Sequence, residues 1–248
     1  MSFDSDAQGE GAVAFDPATL GLRSFEQRQR EEAPPAPEQS ALPASPYAAG
    51  KRVLDVMGTI VLATVFSPLI LLIAILMRQE GGSIIYKHRR IGRDGRAFEC
   101  LKFRTMVPNA DQVLRELLER DPAIKAEWVR DHKLRSDPRV TRLGRFLRRT
   151  SLDELPQLWN VLVGQMSLVG PRPPLWYEVQ QYKPWHRHRV LEAKPGITGL
   201  WQVTGRSRTT FDEMVRLDLR YARGRSLWAD IKILLATPAA VFKGKGAC

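Results

Sequence analysis

The chain has 248 residues and a formal net charge of +11. Its two cysteines, Cys100 and Cys248, have no metal-ligand spacing and no partner set for a disulfide framework, which excludes the zinc-stapled and disulfide-rich classes and fits a reducing, cytosol-facing setting. Residues 1–46 carry eight acids and three bases, so the remainder carries +16, an excess suited to anionic headgroups, phosphorylated substrates or nucleic acid.

Residues 1–46 read as a disordered tail. They contain six prolines and eight alanines, and Glu31-Glu32-Ala33-Pro34-Pro35-Ala36-Pro37 cannot build a core. Residues 58–77 then contain no charge, and their only polar side chains are Thr59, Thr64 and Ser67. At about 1.5 Å per residue they reach roughly 30 Å, the thickness of a bilayer's hydrocarbon core. Pro68 stands at mid-segment, where it removes a backbone donor and clashes with the Thr64 carbonyl; a bend at Ser67-Pro68 is expected, with the Ser67 and Thr64 hydroxyls available to the freed groups. Lys51 and Arg52 precede the segment, and Arg78, Lys87, Arg89 and Arg90 follow it. Positive flanks at both ends keep both on the cytoplasmic side, so residues 47–80 are expected to be a re-entrant hairpin, with Lys51 and Arg52 as a headgroup rim and a kinked spanning helix as the alternative. Asp55 can pair with either of them.

Residues 81–248 read as one small cytoplasmic catalytic domain. Strands are expected over 83–91 and 96–105, joined by the turn Arg93-Asp94-Gly95. Residues 109–133 read as a helix with Val113, Leu117, Leu118, Ile124 and Trp128 apolar, broken or kinked at Pro122. A second helix over 153–163 sets Leu155, Leu158, Trp159 and Leu162 on one side. Helices follow at 210–222 and 226–243; the last has an apolar stripe of Leu227, Trp228, Ile231, Leu234 and Leu235 and suits the membrane interface or a core equally. The histidines at 88, 132, 186 and 188 form no metal motif, and His186 and His188 read as surface residues. The fold class is therefore α+β, mostly helical: a re-entrant membrane helix, a β-hairpin and interfacial amphipathic helices.

The chemistry concentrates at Asp153-Glu154, just after the basic stretch 142–149 and before Gly170-Pro171-Arg172-Pro173. Carboxylates beside guanidiniums suit reactions at phosphate, because Arg grips phosphoryl oxygens bidentately and Asp can attack phosphorus. A second reading fits the same residues: Ser151-x-x-Glu154 matches a capping box, and Asp153 can cap a helix with Pro156 in its first turn. No helix-turn-helix, zinc or aromatic RNA-binding signature appears, and nucleic-acid binding gives the apolar segment no role. A non-catalytic basic membrane-surface scaffold is the other alternative.

Several motifs occur in order: Lys51-Arg52-x-x-Asp55, Ser67-Pro68, Leu101-Lys102-Phe103-Arg104-Thr105-Met106, Leu152-Asp153-Glu154-Leu155-Pro156-Gln157, Asn160-Val161-Leu162, Met166-Ser167-Leu168-Val169-Gly170-Pro171-Arg172-Pro173, Lys194-Pro195-Gly196-Ile197-Thr198-Gly199 and Asp230-Ile231-Lys232-Ile233-Leu234. Together, from about Tyr47 to Gly246, they resemble the short form of the bacterial sugar transferase family, the monotopic polyprenyl-phosphate phosphoglycosyl transferases. Gln165 departs from the pattern, since many members have Asp before Met-Ser. The resemblance implies an enzyme at the cytoplasmic face of a bacterial inner membrane. It would transfer a sugar-1-phosphate from a UDP-sugar, UDP-glucose or UDP-galactose first, to polyprenyl phosphate, releasing UMP as an early step of exopolysaccharide assembly. It implies Asp153 as nucleophile, Glu154 and Asp218 as ligands of Mg²⁺, and Lys102, Arg104, Arg148, Arg172 and Arg206 as substrate-binding residues. The expected partners are the two substrates and inner-membrane lipid, without nucleic acid, and a homodimer is left open.

Overall fold

The structure, a computed structural model, describes residues 46–131, 134–188, 193–205 and 209–242. The tail expected over residues 1–45 and the helix ends expected at 132–133 and 243 lie outside the described residues, as does Arg206. The protein is mostly helical, with two small two-stranded sheets.

Helix α1 (Pro46–Gln79) is a single 34-residue helix. It is long and apolar enough to cross a membrane by length and composition. Helical structure runs through Pro68, the position at which a bend was expected. The Thr64 carbonyl, which loses its usual donor at Pro68, accepts a hydrogen bond from Ser67 Oγ at 2.8 Å. Val61, Val65, Leu71 and Leu72 are exposed, whereas Asp55 and Thr59 on one half and Ile73 and Met77 on the other are buried.

The first half of α1 is fastened to the rest of the chain by its charges. Lys51 Nζ lies 3.3 Å from Asp55 Oδ1 and 3.1 Å from Asp230 Oδ2. Asp55 Oδ1 also accepts from Ser167 Oγ (2.9 Å) and the Leu168 amide (3.0 Å). Arg52 donates to the carbonyls of Val161 (2.7 Å) and Leu162 (2.6 Å). Lys51 and Arg52, expected as an outward rim, are thus engaged within the protein. The reason is that buried Asp230 needs a counter-charge and the last carbonyls of a helix need donors.

Strands β1 (Ile85–Ile91) and β2 (Ala97–Phe103) pair antiparallel, with Ile85 opposite Phe103 and Ile91 opposite Ala97. Between them Asp94 (φ 59°) and Gly95 (φ 74°) take left-handed conformations, and the Gly92 amide donates to Arg96 O at 2.7 Å. The helix expected over 109–133 is two: α2 (Ala110–Arg120) and α3 (Pro122–Asp131). Asp121 breaks it with an extended backbone, and its Oδ1 then accepts from Ala123 N (2.8 Å) and Ile124 N (3.2 Å), with Pro122 opening the new helix.

The basic stretch forms helix α4 (Arg142–Thr150), which was not among the expected helices although Leu143, Phe146 and Leu147 recur at i, i+3 and i+4. Thr141 caps it by accepting from Gly144 N at 2.9 Å. Gly144 presses on the backbone of Thr105, where a Cβ would overlap the carbonyl oxygen. Ser151 ends α4 in the left-handed region (φ 58°), so it cannot be the N-cap of a capping box. A 3₁₀ turn, Leu152–Glu154, leads into the short α5 (Gln157–Leu162) in place of one helix over 153–163. Trp159, expected inside, is 60% exposed. The inner face of α5 instead includes Leu158, Val161 and Asn160. Asn160 Oδ1 accepts from Leu101 N (2.9 Å) and its Nδ2 donates to Glu99 O (2.7 Å), so one side chain satisfies the free edge of β2. Asn160 Nδ2 also donates to Gln165 Oε1 at 2.7 Å. An Asp there would offer the same acceptor.

Strands β3 (Ser167–Val169) and β4 (Gly196–Thr198) pair parallel, so close that a Cβ on Gly170 or Gly196 would overlap the other's backbone. Helix α6 (Trp176–Gln180) leads to the 3₁₀ turn Pro184–Arg187, where His186 is 2% exposed rather than a surface residue. Its Nδ1 accepts from Lys183 N (3.2 Å), its Nε2 lies 3.0 Å from Asp212 Oδ1, and Trp185, Tyr182 and Phe211 pack around the ring. After α7 (Leu200–Thr204), α8 (Phe211–Arg223) starts with a capping box between Thr210 and Glu213. Helix α9 (Leu227–Phe242) buries Asp230 and Ile233 and exposes Trp228 and Leu235. One core cluster joins β2, α5, β3, α8 and α9, with Leu62 and Ala63 of α1 against it. A second joins Ile73 and Met77 of α1 to Phe103 and Leu147. Both halves of α1 therefore rest on the same body.

Candidate active site

Asp153 and Glu154 lie on the wall of an open cavity of about 2740 Å³. The turn that carries them is held between α4, which ends at Ser151, and α5, whose Asn160 is bonded to β2. Lys102 projects from the same strand β2. Its Nζ lies 2.7 Å from Glu154 Oε1 and 3.5 Å from Asp153 Oδ2, so one ammonium serves both carboxylates. The structure thus brings Lys102, Asp153 and Glu154 together, and Asp153 caps no helix.

The two carboxyls are tuned apart. Burial pushes Asp153 above its ordinary value; Lys102 opposes this and the Glu154 charge adds to it. Burial also pushes Glu154 up, but Lys102 and Arg172 outweigh it and hold Glu154 below the usual range. Adjacent acids with opposite shifts suit different tasks: Glu154 remains anionic, while Asp153 is the more basic oxygen and the better candidate to attack.

Guanidiniums approach from several elements. Arg104 is only 8% exposed, on the cavity wall; it donates to the Gly81 carbonyl in the turn after α1, and its Nε and Nη1 are buried with no hydrogen-bond partner among the described residues. Those two donors are suited to an anion. Arg148 donates from Nε to Thr105 Oγ1 at 2.8 Å and also lines the cavity. Arg172 is exposed between buried Pro171 and Pro173 and lines it too.

Sequence reasoning missed Arg90, which it took for a flanking charge. The residue is buried and donates from Nη1 to Pro173 O at 3.1 Å, while Ile91 N donates to Pro174 O at 3.0 Å. The end of β1 thereby fixes the loop that carries Arg172. Its pairing opposite Phe98 gives it away only once the register is known. Asp137 and Arg139 were missed as well. They form a two-pronged pair (2.9 and 2.7 Å) with the guanidinium 5.3 Å over Trp128, on the side of the cavity bounded by α3.

Asp218 is not brought to this wall. It is 1% exposed within α8, on the inner face that also buries Val215 and Leu219. Among the described residues no group of three or more His, Cys, Asp or Glu could hold a metal ion. Mg²⁺ needs only one or two carboxylates when substrate phosphates supply other oxygens. Glu154, with Asp153 beside it, fits that requirement, and Asp218 does not. The apolar side of the cavity is lined by Leu62 and Phe66 of α1 and by Leu234 and Val241 of α9. The site therefore joins a charged end to an apolar one.

The family model of the bacterial sugar transferases matches residues 46–244. The UDP-galactose-lipid carrier transferase of Erwinia amylovora is 49% identical over 197 residues, covering 79% of this chain and 41% of that protein. The undecaprenyl-phosphate galactose phosphotransferase of Salmonella typhimurium is 48% identical over 197 residues, 79% of this chain and 41% of that protein. The exopolysaccharide production protein ExoY of Sinorhizobium fredii is 46% identical over 197 residues, 79% of this chain and 87% of that protein. The chain thus spans about two fifths of the first two relatives and most of the third. With its motifs, its paired carboxylates and a match over most of its length, the chain belongs to the bacterial sugar transferase family.

Proposed function

We propose that the protein transfers a sugar-1-phosphate from a UDP-sugar to polyprenyl phosphate, through a covalent intermediate on Asp153, at the cytoplasmic face of a bacterial inner membrane. The observation that carries this reading is the pair Asp153-Glu154 pinned by Lys102 on a cavity whose other wall is the apolar helix α1. A nucleotide diphosphate sugar enters from water and a prenyl phosphate from lipid, and such a cavity meets both. Galactose is the favoured sugar, because it appears in the names of relatives 48–49% identical, with glucose, named in relatives 40% identical, next.

In the first step an Asp153 oxygen attacks the phosphorus bonded to the sugar. The P–O bond to the bridging oxygen breaks, UMP departs with that electron pair, and an aspartyl phospho-sugar remains. Lys102, Arg104, Arg148 and Arg172 hold and neutralise the diphosphate, where phosphoryl transfer gains most of its stabilisation. A bound Mg²⁺, held by Glu154 and phosphate oxygens, would supply further charge neutralisation. In the second step a polyprenyl phosphate oxygen attacks the same phosphorus, Asp153 leaves as carboxylate, and polyprenyl diphosphate-sugar forms.

The membrane reading is re-entrant. Arg52 ties the beginning of α1 to α5, while Ile73 and Met77 near its end pack on Phe103 and Leu147. Contacts of both halves with one body support a helix whose two ends stay on the same side of a bilayer. The division into a tail, a membrane element over 47–80 and a catalytic domain over 81–248 follows from this reading.

The test is Asp153→Asn. It keeps size and polarity but lacks the anionic nucleophile, so the variant should fold, enter membrane and release no UMP. With the parent protein, donor alone should give one equivalent of UMP and a protein adduct of one phospho-sugar by mass spectrometry. No adduct, together with kinetics that require both substrates before UMP leaves, would overturn the covalent step. A screen of UDP-sugars for UMP release identifies the sugar.

A further inference from the structure

The β-hairpin turns a row of side chains toward the cavity that the chemistry of Asp153 and Glu154 does not use. Alternation along β1 puts Tyr86, His88 and Arg90 on the cavity wall and Lys87 on the opposite face, where it pairs with Glu99 at 2.9 Å. The register sets Tyr86 opposite Lys102, the residue that joins Asp153 to Glu154, and sets His88 opposite Cys100. Side chains directly opposite stand roughly 4.5–5.5 Å apart at Cβ, and diagonal neighbours about 7–8 Å. Tyr86 and His88 therefore flank the ammonium that holds the carboxylate pair. Their rings are half-buried, with centroids 5.6 Å apart. Tyr177, on α6 beyond the Arg172 loop, lines the same cavity.

The imidazole of His88 is oriented by a buried arginine. Its Nδ1 lies 3.5 Å from Arg90 Nη2, and Arg90 is itself fixed by its bond to Pro173 O. A guanidinium only donates, so Nδ1 is the acceptor and the ring proton sits on Nε2, at the other edge. The remaining donor of the ring is thus a neutral N–H on a wall otherwise rich in cations. Phosphate calls for charge, which Lys102, Arg104, Arg148 and Arg172 supply. A hexopyranose carries no charge; aromatic faces meet its C–H groups, and neutral donors and acceptors meet its hydroxyls. In a UDP-sugar the hexose is bonded through the phosphorus that Asp153 attacks, so it must lie beside the carboxylate pair. The wall between α1 and α9 is apolar and suits a prenyl chain instead.

We propose that Tyr86, His88 and Tyr177 form the hexose subsite of the UDP-sugar, with His88 Nε2–H donating to a ring hydroxyl and so reading which hexose is bound. The proposal rests on the reading of the protein as a UDP-sugar phosphotransferase and adds the part of the site that selects the sugar. A hexose whose hydroxyl is missing or inverted at that position leaves the imidazole donor facing no acceptor, and the transition state loses that bond.

The test is a cycle between His88→Ala and deoxygenation of the donor. The full chain in detergent is given polyprenyl phosphate and the UDP-hexose it prefers, then the same donor lacking one ring hydroxyl at a time, and kcat/KM for UMP release is read. At one position the deoxy donor should be roughly tenfold poorer with the parent and only about twofold poorer with His88→Ala. UDP, which has no hexose, should inhibit both proteins with the same Ki. His88→Gln, which keeps an N–H donor, should recover part of the loss. His88→Phe repeats the cycle with a ring retained, so a folding defect of the Ala variant does not decide the outcome. Deoxy donors that lose equally with parent and variants, or a Ki for UDP that rises in step with the loss, overturn the subsite while UMP release by the parent still supports the functional reading. A parent that releases UMP from no UDP-hexose overturns both.

Discussion

Asp153 and Glu154 are chemically similar carboxylates that the structure makes unlike, and the difference has a measurable sign. Burial holds the Asp153 carboxyl above its ordinary value. Attack requires the anion, so protonation removes activity as pH falls. The acid limb of kcat/KM for UMP release should therefore lie above the ordinary aspartate value of about 3.9. Lys102→Met removes the cation that opposes the shift and should move the limb further up, read from pH–rate profiles of the two proteins. Arg172→Lys keeps charge but loses the planar fork; one charge-assisted hydrogen bond is worth about 1.5–3 kcal/mol, so turnover should fall roughly tenfold to a hundredfold with little change in unfolding. A Lys variant at the parent rate would refute the fork. Asp153, Glu154 and Lys102 were legible in the sequence because their chemistry is carried by residue type and order. Arg90 was not, since nothing local distinguishes it from Arg89; only the loop at Pro173, 83 residues away, turns it inward.

At the scale of elements, the hairpin, the break at Pro122 and the helices over 211–223 and 227–242 follow from turn residues and apolar spacing, which are local signals. Helix α4 was passed over as a run of charge, although Leu143, Phe146 and Leu147 recur at i, i+3 and i+4; the arginines between them masked the pattern. Strands β3 and β4 are three residues each, too short for any alternation, and exist because Gly170 and Gly196 let two backbones meet. The importance of small residues can be tested at Gly144. Gly144→Ala drives a methyl into the Thr105 carbonyl and must shift α4, the helix that leads into the catalytic turn. We expect a loss of about 1–3 kcal/mol, the usual cost of overpacking, with reduced UMP release. A melt superimposable on the parent's would show that α4 moves freely.

For the whole molecule, the question is on which side of the membrane the two ends of α1 emerge. Cysteines placed singly at Ala49 and Ser83, both exposed, should be labelled only from the cytoplasm. Labelling of one from each side would show a spanning helix. Ser83 is preferable to Gly82, where a side chain would collide with Arg104 and φ is +72°. The charges at Lys51 and Arg52 point to this expectation through the positive-inside rule, yet their partners were hidden, since they lie on α5 and α9. Those long separations carry a consequence for biosynthesis. Arg52 meets Val161 across 109 residues, Asp55 meets Leu168 across 113, and Tyr47 meets Asp230 across 183. At roughly 5–20 residues per second, α1 leaves the ribosome many seconds before its partners exist. Throughout that interval the Lys51–Asp55 pair, one turn apart, is the part of this network that can already form, and on the proposed membrane reading a bilayer would hold α1 before the rest of the chain closes upon it.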